Sequence, residues 1–181
     1  PAPASSATGS SFRNWGIVFN VSQDIVLKST DVYSSSNGTL DVKILNPAGT
    51  EIFSTGNVNV NNGGTSTPNV IPLNITLTAG IGYKILIKNY SGANLIRESS
   101  GLTFPYTEAN GVLTATASEW GGTTTGSYYY FYNLKYEVSC SSPRIEVPIT
   151  VTEAPELILS ADEITICQGN NSELITVTSG L

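Results

Sequence analysis

Apolar and β-branched residues alternate with polar residues in short runs along the chain, and no run shows the spacing of an amphipathic helix. Turn-forming clusters separate these runs, as in Asn46-Pro47-Ala48-Gly49 and Asn61-Asn62-Gly63-Gly64. The pattern predicts strands over 15–21, 24–33, 40–45, 51–54, 70–77, 83–88, 112–117, 128–138 and 144–151. So many short strands at regular spacing indicate an all-β fold, an antiparallel β-sandwich of the jelly-roll or Ig-like kind.

The predicted strand 128–138 is the most aromatic part of the chain. Its even positions are all apolar or aromatic, so the face they share belongs to the core, with Tyr130, Tyr132, Leu134 and Tyr136 inside it. At the start of this run both faces are aromatic. Tyr129 and Phe131 are therefore either covered by another segment or exposed on the sheet.

The pattern also divides the chain into parts. We expect a linker over 1–9, a sandwich module over 10–153, and a break at Glu153-Ala154-Pro155-Glu156. Residues 154–181 contain further short strands, over 157–159, 163–167 and 173–178, that predict the incomplete start of a second Ig-like domain. Because such a remnant is too small to bury a core of its own, we expect the chain to be a piece of a multidomain protein.

Composition narrows the class of protein. Charged residues make up 12% of the chain and hydrophobic residues 40%, which is typical of a globular protein rather than of a disordered one. No window approaches 18 apolar residues in succession, so we expect no membrane insertion. The net charge is -6, and the segment 141–181 carries six acidic residues against one basic residue. With no basic patch to neutralise phosphates, nucleic acid is not an expected partner.

Histidine is absent from the sequence, which excludes Ser-His-Asp and Cys-His catalysis and every histidine-ligated metal site. Glutamates in neighbouring loops, at positions 98, 108 and 119, are candidates for an acid/base pair. Nothing in their spacing fixes two of them at one site, so we interpret them as solvated loop residues. The sequence therefore predicts no enzyme.

No cofactor or metal is expected either. Asp24, Asp31 and Asp41 are candidate oxygen ligands for a calcium ion of the kind that jelly rolls often hold. The sequence lacks a dense Asp-x-Asp ligand loop, so calcium is only an alternative to the expectation of no metal.

Trp120 lies in the loop Ser118-Glu119-Trp120-Gly121-Gly122, where strand alternation does not require a large aromatic residue. One interpretation is a stacking platform for a sugar ring, with hydrogen bonds from Glu108, Asn110 or Glu119. The candidate ligand-binding residues of that platform are Trp120, Tyr129, Phe131 and Tyr106. The alternative is that Trp120 folds back and closes one end of the sandwich.

Several runs together resemble the β-sandwich modules of large secreted and surface proteins of Bacteroidota. They are 15–21 with 24–29, 38–40 and 46–50, 72–80 with 82–85, 104–106, 128–133 and 140–144. The run Ile166-Cys167-Gln168-Gly169-Asn170 is similar to the start of the Ig-like repeats that follow such modules. Modules of this kind occur in adhesins, gliding-associated proteins and enzyme accessory regions that the type IX secretion system exports.

This resemblance implies a non-catalytic structural and adhesive module of a large multidomain protein, extracellular or on the cell surface. The expected partners are neighbouring β domains of the same polypeptide, extracellular glycans, and secretion or surface-anchoring proteins. The alternative function is a carbohydrate-binding accessory module of a secreted polysaccharide-active protein. The expected export signal would lie in a C-terminal domain outside this sequence.

The two cysteines, Cys140 and Cys167, lie in a Ser/Thr/Asn-rich sequence whose composition is typical of extracellular proteins, which permits a disulfide. Two arrangements stay open. A bond between Cys140 and Cys167 would clamp the two modules across their linker. The Ig-like resemblance instead implies that Cys167 pairs with a cysteine beyond Leu181 and that Cys140 is unpaired.

Overall fold

The computed structural model describes residues 3–4, 7–138, 158–159, 165, 168–169, 171 and 176–179. Contacts between Cα atoms divide the chain into two units, Pro1–Ser141 and Ser142–Leu181. Within the described ranges no residue is helical, and no helix there is long and apolar enough to span a membrane. The expected domain boundary at 153/154, the predicted strand 144–151 and both cysteines lie outside the described residues.

The largest sheet of the first unit has eight strands. The main path of this sheet runs β10 (Tyr106–Thr107), β11 (Leu113–Glu119), β2 (Gly16–Val21), β8 (Gly80–Ser91), β4 (Gly38–Leu45) and β5 (Glu51–Ser54). Two further strands lie off this path: β12 (Thr123–Thr124) pairs with β11, and β6 (Val58–Val60) pairs with β4.

Two smaller antiparallel sheets complete the first unit. One contains, in spatial order, β14 (Tyr132–Val138), β3 (Ile25–Val32) and β7 (Asn69–Leu77). The other contains β1 (Thr8–Gly9), β9 (Ile96–Glu98) and β13 (Tyr128–Tyr129). Alternate side chains of the longer strands join one hydrophobic cluster, as Ile17 and Phe19 do from β2 and Ile25 and Leu27 do from β3. The all-β antiparallel sandwich that the sequence predicts is confirmed.

The seven strands predicted between residues 15 and 117 are present, with ends that shift by three residues at most. Five of the described strands were not predicted from the sequence, namely β1, β6, β9, β10 and β12. Each has only two or three residues, which is too short to show a period-two pattern. Thr8–Gly9 falls in the expected linker 1–9 but pairs with β9.

The prediction of one continuous strand over 128–138 is wrong. Tyr128–Tyr129 pairs with β9, and from Tyr132 onward the chain pairs with β3 in a different sheet. The chain makes this change at Tyr130, whose φ of 74° lies in the left-handed region. Tyr130, Tyr132 and Leu134 are buried as predicted, whereas Tyr136 is only half-buried.

The strand register defines two opposite ends of the first unit. At the Trp15 end, Gly16 pairs with Glu119. At the Val138 end, Val138 pairs with Ile25, four residues beyond the last residue of β2. Since β2 has six residues, the two ends are separated by roughly 20 Å of strand.

In the second unit β15 (Ile158–Leu159) and β16 (Val177–Ser179) pair antiparallel, and both overlap strands that the sequence predicts. Its Ig-like character stays a prediction.

Candidate functional site

The structure does not place the four predicted platform residues on one exposed face. Trp120 is 51% exposed, but Tyr129 is 4% exposed and Phe131 is completely buried. Tyr106 is half-buried and lies on β10, next to a different groove. The sequence left open whether Tyr129 and Phe131 are covered by another segment or exposed on the sheet, and in the structure both are covered.

We call residues Tyr128–Tyr132 the aromatic corner. All five side chains are buried, which strict strand alternation does not allow. The left-handed backbone at Tyr130 interrupts the alternation, and the Phe131 amide donates to the Tyr129 carbonyl at 3.0 Å. The corner therefore fills the core between two sheets rather than presenting rings to a ligand.

The hydroxyl groups of the corner differ in their partners. The Tyr128 hydroxyl donates to the Phe131 carbonyl at 2.8 Å. The hydroxyls of Tyr130 and Tyr132 are buried and make no hydrogen bond of normal geometry. Burial is the main cause that raises the pKa of all three tyrosines well above the usual value, and the Glu98 carboxylate adds to it at Tyr128 and Tyr132.

A second group of aromatic residues is exposed at the Trp15 end, and we call Phe12, Trp15 and Trp120 the aromatic surface. The Phe12 and Trp15 rings lie 4.2 Å apart, and Trp120 meets Trp15 edge to face at 6.0 Å. Phe12 is 43% exposed and Trp15 is half-buried. Below them, Tyr129 packs against Trp15 at 4.8 Å, which joins this surface to the aromatic corner.

Trp120 is held by a tight hairpin. Glu119 pairs with Thr123, so Trp120, Gly121 and Gly122 form a three-residue loop, and Gly121 adopts a φ of 100° that glycine accepts without strain. The Glu119 side chain accepts a hydrogen bond from the Gly121 amide at 3.2 Å, and it forms an ion pair with Lys84 at 2.8 Å. These contacts fix the loop that carries the exposed indole.

Two arginines border the aromatic surface. Arg13 follows Phe12 and donates from Nε and Nη2 to the Asn89 side-chain oxygen at 3.0 and 2.6 Å. The Arg97 guanidinium lies 5.9 Å from the centre of the Tyr129 ring, within cation–π range. Arg97 Nε donates to the Ser10 hydroxyl at 3.0 Å.

A separate open groove of about 540 Å³ lies beside β10. Tyr106, Glu108 and Asn133 line it together with Pro105, Thr107 and Ala109. Asn110, the other predicted hydrogen-bonding residue of this region, accepts a bond from the Tyr136 hydroxyl at 2.7 Å. The groove therefore contains Tyr106 and Glu108 of the predicted set, without Trp120.

The candidate acidic residues have different surroundings. Glu119 is paired with Lys84, Glu108 lines the groove, and Glu98 lies beside Tyr132. Among the described residues no three acidic side chains lie close enough to hold a metal ion.

The three candidate calcium ligands make separate contacts. Asp24 accepts from the Ala79 amide, Asp31 from the Asn133 side chain, and Asp41 from the Ser54 hydroxyl. The structure does not bring them together.

No protein-family model matches the chain, and a search of curated proteins gives no significant match. The site thus stands on its own geometry. Sequence reasoning found Trp120 but missed Phe12, Arg13, Trp15 and Arg97. The run Phe12-Arg13-Asn14-Trp15 contained a usable signal for a turn, because asparagine tolerates the left-handed conformation. Asn14 has a left-handed φ of 64°, and the Trp15 amide donates to the Phe12 carbonyl at 3.4 Å across the turn.

Proposed function

We propose that the chain is a non-catalytic structural and adhesive module of a large multidomain protein, extracellular or on the cell surface. The observation that supports this proposal is that the first strands of the first unit and its last strand lead to opposite ends of the unit. Residues 8–16 lie at the Trp15 end, and β14 finishes at the Val138 end. A module entered at one end and left at the other transmits tension along its length.

The register also determines how such tension acts. β14 pairs with β3 through five residue pairs, and a pull on Val138 is directed along the strand. Because antiparallel hydrogen bonds run perpendicular to the strands, this pull loads the pairs together in shear rather than opening them one at a time. The Thr30 hydroxyl adds a bond to the Tyr132 carbonyl at 2.9 Å. The geometry favours resistance to extension.

The other edge of the same sheet is protected against pairing with foreign strands. β7 carries Pro72, which has no amide proton to donate, and Asn74 with a left-handed φ of 50°. Both features interrupt a nine-residue edge. Such protection suits a unit surrounded by many similar β domains.

Force spectroscopy on the full chain, held between marker domains, tests the proposal. We expect the first unit to extend in one step of roughly 40 nm, the length of about 120 released residues. Thr30→Val, which removes the bond to Tyr132, lowers the rupture force, whereas the exposed substitution Thr123→Val leaves it unchanged. Gradual extension at low force, with no single step, would contradict the structural role.

The non-catalytic part of the proposal has its own test. The chain has no histidine, and the candidate glutamates have different surroundings: Glu119 is paired with Lys84, Glu108 lines the groove and Glu98 lies beside Tyr132. We expect no turnover of glycans, peptides or esters. Turnover that disappears in Glu98→Gln, Glu108→Gln or Glu119→Gln would identify an enzyme.

Carbohydrate binding is the second candidate function, and the aromatic surface is the observation that favours it. Exposed indole and phenyl rings provide faces on which sugar rings stack, and the Trp120 loop is fixed before any ligand arrives. Binding of polysaccharides that quenches tryptophan fluorescence, and that is lost in Trp120→Ala, would support it.

A further inference from the structure

We infer that the aromatic surface, together with Arg13 and Arg97, binds a carboxylated polysaccharide. This inference rests on the second candidate function and names its substrate class. It also adds a charged component that stacking alone does not require.

The charge of this surface differs from that of the whole chain, whose net charge is -6. Both arginines in the described part of the chain lie beside the aromatic surface, and neither makes an ion pair with a described residue. Lys28, Lys84 and Lys88, by contrast, each pair with a glutamate. Four described basic side chains thus make no ion pair: the two arginines lie beside the exposed aromatic rings, and Lys43 and Lys135 lie on β4 and β14.

The acidic residues next to Trp120 and Arg97 do not cancel this charge. Glu119 is 9% exposed and is neutralised by Lys84 at 2.8 Å. Glu98 follows Arg97 on β9, and neighbouring residues of a strand point to opposite faces. It pairs with the buried Tyr128 across β9 and β13, and directly paired residues share a face, so the Glu98 side chain lies on the core side of the strand.

The two guanidinium groups also have free donors. Arg97 uses Nε for Ser10, and its two Nη atoms make no hydrogen bond with a described residue. Arg13 uses Nε and Nη2 for Asn89, which leaves its Nη1 edge open. A planar guanidinium with free N–H groups matches the two oxygens of a carboxylate.

A carboxylated sugar satisfies both halves of this surface. Its ring has an apolar face for Trp120 or Phe12, and its carboxylate is an acceptor for arginine. A neutral glycan can accept hydrogen bonds from arginine through its hydroxyl groups, but it carries no charge to pair with the guanidinium. Single-stranded nucleic acid also stacks on aromatic rings, but it carries a phosphate at every nucleotide and needs a longer basic track than two arginines on an acidic protein provide.

The test compares polygalacturonate with its fully methyl-esterified form, which keeps the sugar backbone and lacks the charge. Binding to the full chain is measured by calorimetry and by tryptophan quenching, with an oligothymidylate as the nucleic-acid probe. We expect polygalacturonate to bind at least tenfold more tightly than the ester, and we expect added salt to weaken this preference. The oligothymidylate should bind more weakly than polygalacturonate.

The variants separate stacking from charge. Trp120→Ala should weaken binding of both polymers about tenfold or more. The double variant Arg13→Gln/Arg97→Gln should reduce polygalacturonate binding about tenfold and leave ester binding unchanged. Lys135→Gln, which removes one positive charge at an exposed position of β14, is the control for each single arginine substitution and should change neither. If Arg97→Gln does not fold, Arg97→Lys keeps the positive charge but lacks the planar pair of N–H donors, and it should give an intermediate loss of polygalacturonate binding.

The outcomes distinguish the two proposals. Equal binding of ester and acid would overturn the inference and leave carbohydrate binding intact. Binding of neither polymer would overturn both. Tighter binding of the oligothymidylate, or no effect of the double arginine variant, would overturn the assignment of this surface to a carboxylated sugar.

Discussion

The aromatic corner and the aromatic surface are made of the same kinds of residue, and they touch through Trp15 and Tyr129, yet one is buried and the other is exposed. The corner lies where the chain changes sheets, so both of its faces meet protein. The surface lies on two turns at the Trp15 end, where its three side chains are partly exposed to solvent. Whether an aromatic side chain stabilises the fold or is available to a ligand depends here on backbone path rather than on residue type.

The contacts around each region show the same contrast. Tyr128 is enclosed by Phe104, Tyr106 and Tyr132, with ring centres 4.9 to 5.7 Å apart. Trp120 has one aromatic neighbour, Trp15, which it meets by an edge. Loss of a corner ring would leave a cavity, whereas loss of the Trp120 ring would leave open solvent.

The largest expected effect comes from truncating one ring in each region. Tyr132→Ala should lower the free energy of unfolding by about 3–5 kcal/mol, because Tyr132 is 1% exposed in the core. Trp120→Ala should lower it by less than about 1 kcal/mol, because half of the indole is already in water. Denaturant titration of both variants and of the unmodified chain measures the difference. Similar losses in the two variants would mean that the corner and the surface are not energetically distinct.

High pH provides a second way to probe the corner. The pKa values of Tyr128, Tyr130 and Tyr132 are raised in the folded state, so near pH 10 these groups ionise in the unfolded chain while they stay neutral in the folded one. Stability is therefore complete below about pH 10 and falls above it, by about 1.4 kcal/mol per pH unit for each tyrosine. Phenolate absorbance and unfolding should then rise together for the corner.

The variant Tyr132→Phe is the control for this prediction, because it removes one of the three groups. Its stability should fall less steeply with pH than that of the unmodified chain. Phenolate formation at all nine tyrosines before any unfolding would show that the corner is open to solvent.

Sequence reasoning recovered the sandwich because its long strands carry enough residues to show alternation, as β4 and β7 do with eight and nine residues. It failed at the corner because alternation assumes one sheet. Nothing in Tyr128-Tyr129-Tyr130-Phe131-Tyr132 marks the left-handed turn at Tyr130, since tyrosine rarely adopts that conformation. Tertiary packing imposes it.

The candidate site was predictable only in part. Trp120 was identified because it lies in a loop where strand alternation does not require a large aromatic residue. Arg97 could not be identified, because it reaches the aromatic surface through the pairing of β9 with β1 and β13, and strands of two or three residues leave no pattern. Sites assembled from such strands need the three-dimensional fold.

A smaller effect should distinguish two hydroxyls within the corner. Tyr128→Phe removes a buried donor and leaves the Phe131 carbonyl without its partner, at a cost of about 1 kcal/mol. Tyr132→Phe removes a hydroxyl that makes no hydrogen bond of normal geometry, so it should cause a smaller loss. Thermal unfolding of the two variants, which differ only in position, measures this. An equal loss in both would indicate that Tyr132 has a partner, and the Glu98 carboxylate, whose charge raises the pKa of Tyr132, is the candidate acceptor.

The smallest predicted effect concerns the tie that holds the exposed surface in place. Glu119→Gln removes the charge that faces Lys84 and should cost about 0.5–1 kcal/mol, because the Glu119 side chain is only 11% exposed. The amide oxygen of Gln still accepts from Gly121, so the loop should keep its form and tryptophan fluorescence should not change. Glu137→Gln is the matched control: its pair with Lys28 spans 3.5 Å and its side chain is 69% exposed, so its loss should not be measurable. If Glu119→Gln shifted the fluorescence, the ion pair rather than the hairpin would fix the position of Trp120. The conformation of the aromatic surface would then depend on one ion pair, whereas that of the aromatic corner depends on core packing.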